Sequence, residues 1–75
     1  MNLLSKRVLD ITTEYLGPGA ERFLERQTRS HMDGVEFSAI QRSDMPDLIK
    51  WVNISAGLLI GKERAAELTE KLKKI

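Results

Sequence analysis

The chain has 75 residues, close to the lower size at which a sequence folds alone by burying roughly 60% of its unfolded surface. One domain spanning residues 1–75 is expected, with little room for an active site. It carries no cysteine, which removes disulfides, thiolate metal sites and cysteine nucleophiles together. Twelve Lys and Arg against eleven Asp and Glu leave a net charge of +1, too even for the strongly basic footprint of a dedicated nucleic-acid binder.

The N-terminus places Lys6 and Arg7 after the first leucines and reaches Asp10 and Glu14 soon after, the reverse of a secretory signal. A cytoplasmic location is therefore expected. From Leu4 the apolar positions Val8, Ile11 and Tyr15 follow at four, three and four, with charged and polar residues between them. This spacing predicts an amphipathic helix near 3–16. Asn2 is its candidate N-cap, and Gly17-Pro18 ends it, because glycine accepts a left-handed cap and proline has no N–H with which to continue. The same proline suits the first turn of a second helix near 18–32, with Ala20, Phe23, Leu24, Gln27 and His31 facing inward. Asp33-Gly34 stops that helix.

Residues 34–43 fit neither a clean strand nor a long helix. A short helical turn tucked under by Phe37 and Ile40 is expected, since a lone strand would leave backbone groups unpaired. A third helix near 45–60 opens at Asp44, whose side chain is the expected cap, with Pro46 in its first turn. Its stretch Leu48 to Ile60 is apolar nearly all round and is shorter than the roughly 20 residues that span a bilayer. Such a helix is central to a fold or covered by another subunit. On a helical wheel Leu48, Val52, Ser55 and Leu59 form one stripe, while Trp51, Ile54 and Leu58 fall toward the other side. Gly57 in mid-helix costs about 1 kcal/mol relative to alanine, which a closely crossing helix would explain. After Gly61, a fourth helix near 62–74 carries Ala65, Leu68, Leu72 and Ile75 inward, with Glu63/Glu67/Lys71 and Glu70/Lys73/Lys74 pairs on its surface.

The expected fold is thus all-α, a compact bundle of four principal short helices with an irregular connection between the second and third. Its expected core is Leu4, Val8, Ile11, Tyr15, Ala20, Phe23, Leu24, Phe37, Ile40, Leu48, Val52, Leu59, Leu68 and Leu72. Truncating Phe23 or Leu24 should cost roughly 2–5 kcal/mol.

Little here carries chemistry. His31 is the only imidazole and has no acidic cluster at ligand spacing, so a helix-end role beside the last carbonyls is expected rather than catalysis or metal binding. Without a second histidine, none of the serines gains a catalytic triad. Gly17-Pro18-Gly19 precedes a helix, yet it follows a helix and lacks the Gly-Lys-Ser/Thr ending of a phosphate loop. No enzyme, cofactor or metal is expected. Arg22, Arg26 and Arg29, at i, i+4 and i+7, share one stripe that Glu21 and Glu25 dilute. It suits a solvated, salt-bridged face, an acidic partner or phosphates.

The segment Glu14 to Leu24, with Leu16-Gly17-Pro18-Gly19-Ala20 at its centre, followed by Leu48, Trp51, Leu58-Leu59-Ile60, Ala66 and Leu72, resembles a small all-helical domain of bacterial signalling proteins. That domain carries a Leu/Ile-Gly-Pro-x-Ala turn between its first two helices and accompanies receiver, roadblock or kinase modules. The resemblance implies an interaction or assembly module and supplies no catalytic residue.

The expected function is a non-enzymatic protein–protein interaction module, self-associating or docking a protein partner through the third helix. Trp51, Ile54 and Leu58 would be the anchors and Lys50 and Arg42 the rim charges. A monomer core can also absorb that ridge, and the sequence leaves both readings open. The alternative is a small nucleic-acid-associated regulator using Arg22, Arg26 and Arg29 with the C-terminal lysines. A membrane-surface role is not expected, because the fourth helix has no aromatic anchor.

Overall fold

In the computed structural model, which describes residues 1–75, the first helix starts where the cap residue was expected. Asn2 lies in extended backbone, and its Oδ1 accepts the Ser5 N–H at 2.8 Å, so α1 runs Leu3–Leu16. Gly17 ends it at φ 65°, a conformation costly for any residue with a Cβ. Pro18 follows inside a 3-10 turn, Gly17–Gly19, that leads directly into α2, Ala20–His31. Asp33 and Gly34, at φ 55° and 74°, turn the chain away from α2.

The connection contains two 3-10 turns, Phe37–Ala39 and Arg42–Asp44. Phe37 and Ile40 are buried beneath it. Asn2 ties this connection to the start of α1: its backbone N–H donates to Ser38 O at 3.0 Å and its side-chain amide to Ile40 O at 2.9 Å. The second turn runs into α3, Met45–Ile60, and a single residue, Gly61 at φ 90°, separates α3 from α4, Lys62–Lys73.

The fold is all-helical, with 84% of residues in helix and no strand. Because 3-10 backbone carries the chain unbroken from α1 into α2, the long uninterrupted helical stretches number three, 3–31, 42–60 and 62–73, and not four. The Gly-Pro joint bends helical backbone without interrupting it. Asp44 departs from expectation in the same region. Its carboxylate reaches back to accept the Gln41 N–H at 2.8 Å, closing a capping box on the 3-10 turn and leaving α3 without a side-chain cap. The turn itself supplies the carbonyls that a cap would otherwise replace.

The helical segments pack in cyclic order, α1 on α2, α2 on α3, α3 on α4 and α4 on α1, around Val8, Leu24, Leu48, Val52, Ala56, Ala65, Leu68 and Leu72. The register of each helix differs slightly from the largest apolar residues. On α1 the fully buried line is Ser5, Val8 and Thr12, with Leu4, Ile11 and Tyr15 half-buried beside it. Small side chains let helix axes approach, and the larger residues close the seam from its flanks. Ser5 Oγ donates within this seam to Asn2 O at 3.0 Å, while Thr12 Oγ1 has no partner. On α3 the buried line is Met45, Leu48, Val52 and Ala56, and Leu59, expected in the core, is 66% exposed. Leu59 stays on the side of Val52 and Ala56 but lies in the last turn of α3, beyond the residues that cover that side.

No helix of this chain crosses at Gly57. A methyl group built there meets nothing within 4 Å, so the expected close crossing is absent. Gly57→Ala should raise stability by about 0.5–1 kcal/mol, read as a higher urea midpoint.

Lys71 was expected to pair within α4. It instead reaches across to α1, 3.3 Å from Glu14 Oε1 and 5.0 Å from the centre of the Tyr15 ring, while Lys73 pairs with Glu70 at 3.6 Å. Hydrogen bonding to Tyr15 and then to Glu14 holds the Lys71 ammonium above its ordinary value of 10.5. A raised lysine pKa means the contact contributes fully below pH 10.5 and is lost as pH rises through the raised value. In an NMR titration of the lysine side chains, Lys71 is expected to deprotonate last.

Candidate functional site

Two contacts fix how α2 lies on α3. Ser55 Oγ donates to Gln27 Oε1 at 2.8 Å, and the His31 and Trp51 rings stack with centroids 4.1 Å apart and planes 11° from parallel. As residue numbers rise along α2 they fall along α3, so the pair is antiparallel. Gln27 is buried and also donates from Nε2 to Phe23 O at 3.2 Å, a satisfied polar group that pins the register. His31 therefore does not cap the last carbonyls of α2. It covers a face of Trp51, and Lys50 Nζ stands 5.1 Å from that ring's centre.

Trp51 is half-buried, and beyond it the exposed side of α3 is aliphatic. Ile54 is 48% exposed, Leu58 86% and Leu59 66%. Phe23, Arg26, Gln27, His31, Ser55, Leu58 and Leu59 line a shallow cleft of about 190 Å³ along the α2–α3 seam. The ridge expected from the sequence is thus present as a surface in its C-terminal part, with Leu59 joining it. Sequence reasoning missed Leu59 because the wheel put it in line with Val52. The signal available was its place in Leu58-Leu59-Ile60 directly before Gly61, a helix end where less of the circumference is covered.

Arg42 lies elsewhere. Its 3-10 turn faces the end of α4, where Nη1 donates to Ile75 O. It lines an open recess of about 470 Å³ with Met45, Pro46, Ile49, Leu72 and Lys73. That places it away from the rim of the ridge, on the α4 side of α3. Arg22, Arg26 and Arg29 do come together, bordering a recess of about 270 Å³ with Glu25 and Ser30 and no apolar side chain. The salt-bridged face expected there does not form. The two ion pairs of the chain are Lys71–Glu14 and Lys73–Glu70, which leaves all three guanidinium groups without a carboxylate partner.

No group of three or more His, Asp or Glu side chains is placed to hold a metal ion, and no helix is long and apolar enough to cross a membrane. What the geometry offers is contact area. Comparison with family models, with curated proteins and with solved structures finds no match.

Proposed function

We propose that this chain is a non-enzymatic protein–protein interaction module that docks another polypeptide through the exposed ridge of α3. The observation that carries the reading is the contiguous exposure of Ile54, Leu58 and Leu59. Ile54 and Leu58, four positions apart, share one face of α3, Leu59 lines the cleft with Leu58, and exposed apolar patches on a protein surface mark contact sites. Gly57 lies within this patch, and its helix-propensity cost has no compensation inside the chain. Close approach of a docked helix would supply one. The likeness of the Leu-Gly-Pro-x-Ala joint to signalling modules points to the same class of function.

The test is Leu58→Asp, which leaves the core untouched because Leu58 is 86% exposed. Sedimentation of the wild type over a wide concentration range measures self-association. Titration with an 18-residue amphipathic helix bearing a leucine face and a glutamine face measures docking of a foreign segment. At least one is expected in the wild type, weakened roughly tenfold or more in Leu58→Asp with unchanged circular dichroism. A wild type that does neither, or a variant that alters neither, refutes the reading.

The unpaired Arg22, Arg26 and Arg29 favour a second reading, a regulator that binds nucleic acid through phosphates. Binding of mixed-sequence DNA or RNA that strengthens as salt falls would support it. Absence of binding at low salt ends it.

A further inference from the structure

Resting on the docking reading above, we propose that the occupant of the α2–α3 cleft is an amphipathic helix with an acidic flank, and not a second copy of this chain. The cleft and the arginine stripe are one continuous surface, because Arg26 lines both the apolar cleft and the recess shared with Arg22 and Arg29. Of the three arginines only Arg26 reaches the cleft, and Arg22 and Arg29 extend the cationic surface from it into the neighbouring recess on α2. The titratable groups on the cleft wall are Arg26 and His31, and no carboxylate lines it. At its far end Lys50 stands over Trp51. Glu25, among the arginines, is the one acidic group in the neighbouring recess.

A helix laid along this cleft would bury one apolar stripe against Phe23, Leu58 and Leu59 and turn one edge toward α2. Aspartate or glutamate on that edge would meet guanidinium groups that have no other partner, and arginine is suited to bidentate carboxylate contacts. A two-fold pair of identical chains is disfavoured by the same charges. An isologous interface is built from the same patch on both subunits, and the cleft wall that carries Arg26 and His31 has no carboxylate to offer its copy. Nucleic acid fits less well, since a phosphate backbone pairs with the arginines but leaves the aliphatic ridge uncovered.

The probes are three synthetic 18-residue helices with the same leucine face, flanked by glutamate, glutamine or lysine, followed by emission of Trp51, the only tryptophan. The glutamate form is expected to bind saturably and roughly tenfold or more tighter than the lysine form, with a preference that shrinks as salt rises. Substituting Arg22→Gln, Arg26→Gln and Arg29→Gln together should close the gap while the glutamine form binds as before. Equal affinity for the glutamate and lysine forms overturns the acidic-flank proposal and leaves the docking reading intact. Failure of all three forms overturns the acidic-flank proposal, and overturns the docking reading as well when the wild type does not self-associate. Polyglutamate without a leucine face, or a single-stranded DNA oligonucleotide, binding as tightly as the glutamate helix would make the arginines a general polyanion site. A wild-type dimer that is dispersed by Leu58→Asp would make the occupant a second copy. Either result overturns the proposal.

Discussion

Leu24→Ala is expected to remove most of the stability of the fold, and Phe23→Ala markedly less. Leu24 is fully buried on α2, in the cluster shared by Val8, Leu48, Val52, Leu68 and Leu72. Truncating such a leucine costs about 2–5 kcal/mol in lost transfer energy and residual cavity. A chain of this length has roughly 4–11 kcal/mol in total, at about 0.05–0.15 kcal/mol per residue, so the loss is a large share of the whole. Phe23, one position earlier, is half-buried at the mouth of the cleft. Its ring gives up less on truncation because part of its surface already faces water. Urea unfolding followed by circular dichroism reads the difference directly. A larger midpoint shift for Phe23→Ala than for Leu24→Ala would mean that the α2 register described here is wrong.

The contrast between these neighbours shows what the sequence makes legible and what it does not. Helix ends were readable because they depend on local chemistry: Asn2 as a cap, Gly17-Pro18 and Gly61 as joints, and Asp33-Gly34 as a stop each act within a few residues. The tuck of Phe37 and Ile40 was readable for a similar reason, since the two largest apolar residues of a short connection have one direction in which to bury. Registers were less readable. Apolar size points to Leu4, Ile11 and Tyr15 on α1, whereas the tightest contact belongs to Ser5, Val8 and Thr12. Which small residue faces a neighbouring helix depends on how closely the two axes approach, a property of the packed pair and not of either segment. Leu59 is exposed for a related reason: it follows Val52 and Ala56 on the inward side but lies at the end of α3, where no neighbouring helix covers it.

The site divided along the same boundary. That α3 carries more apolar circumference than one small core can cover follows from its composition. Which residues stay outside is decided by where α2 and α4 lie on it. Arg42 could not be placed from its position before α3, because a 3-10 turn of three residues sets its direction toward Ile75. Nor did any periodicity pair His31 with Trp51, twenty positions apart across a connection without regular spacing.

That stack supports the second large effect. Trp51→Ala is expected to destabilise the fold by about 2 kcal/mol, less than the 3–5 kcal/mol typical of a fully buried aromatic, because Trp51 is half-buried against the core cluster. If Trp51, Ile54 and Leu58 formed one interface ridge, Trp51→Ala and Leu58→Asp would act alike, each removing an anchor and leaving a folded chain. The geometry separates them. The Trp51 ring lies 4.1 Å from His31, the last residue of α2, so removing it uncovers the end of that helix as well as part of the core. Leu58, at 86% exposure, has almost no contact within the chain to lose. Urea midpoints should therefore fall for Trp51→Ala and hold for Leu58→Asp. Proton NMR gives an independent reading, since the His31 ring signals sit under the Trp51 ring current and should move to free-histidine positions in Trp51→Ala alone. If the His31 signals move while the midpoint stays, the stack forms but does not hold α2 to α3. The Gln27–Ser55 hydrogen bond and the apolar contacts of Leu24 would then carry that seam, leaving the whole Trp51 face available to a docked partner.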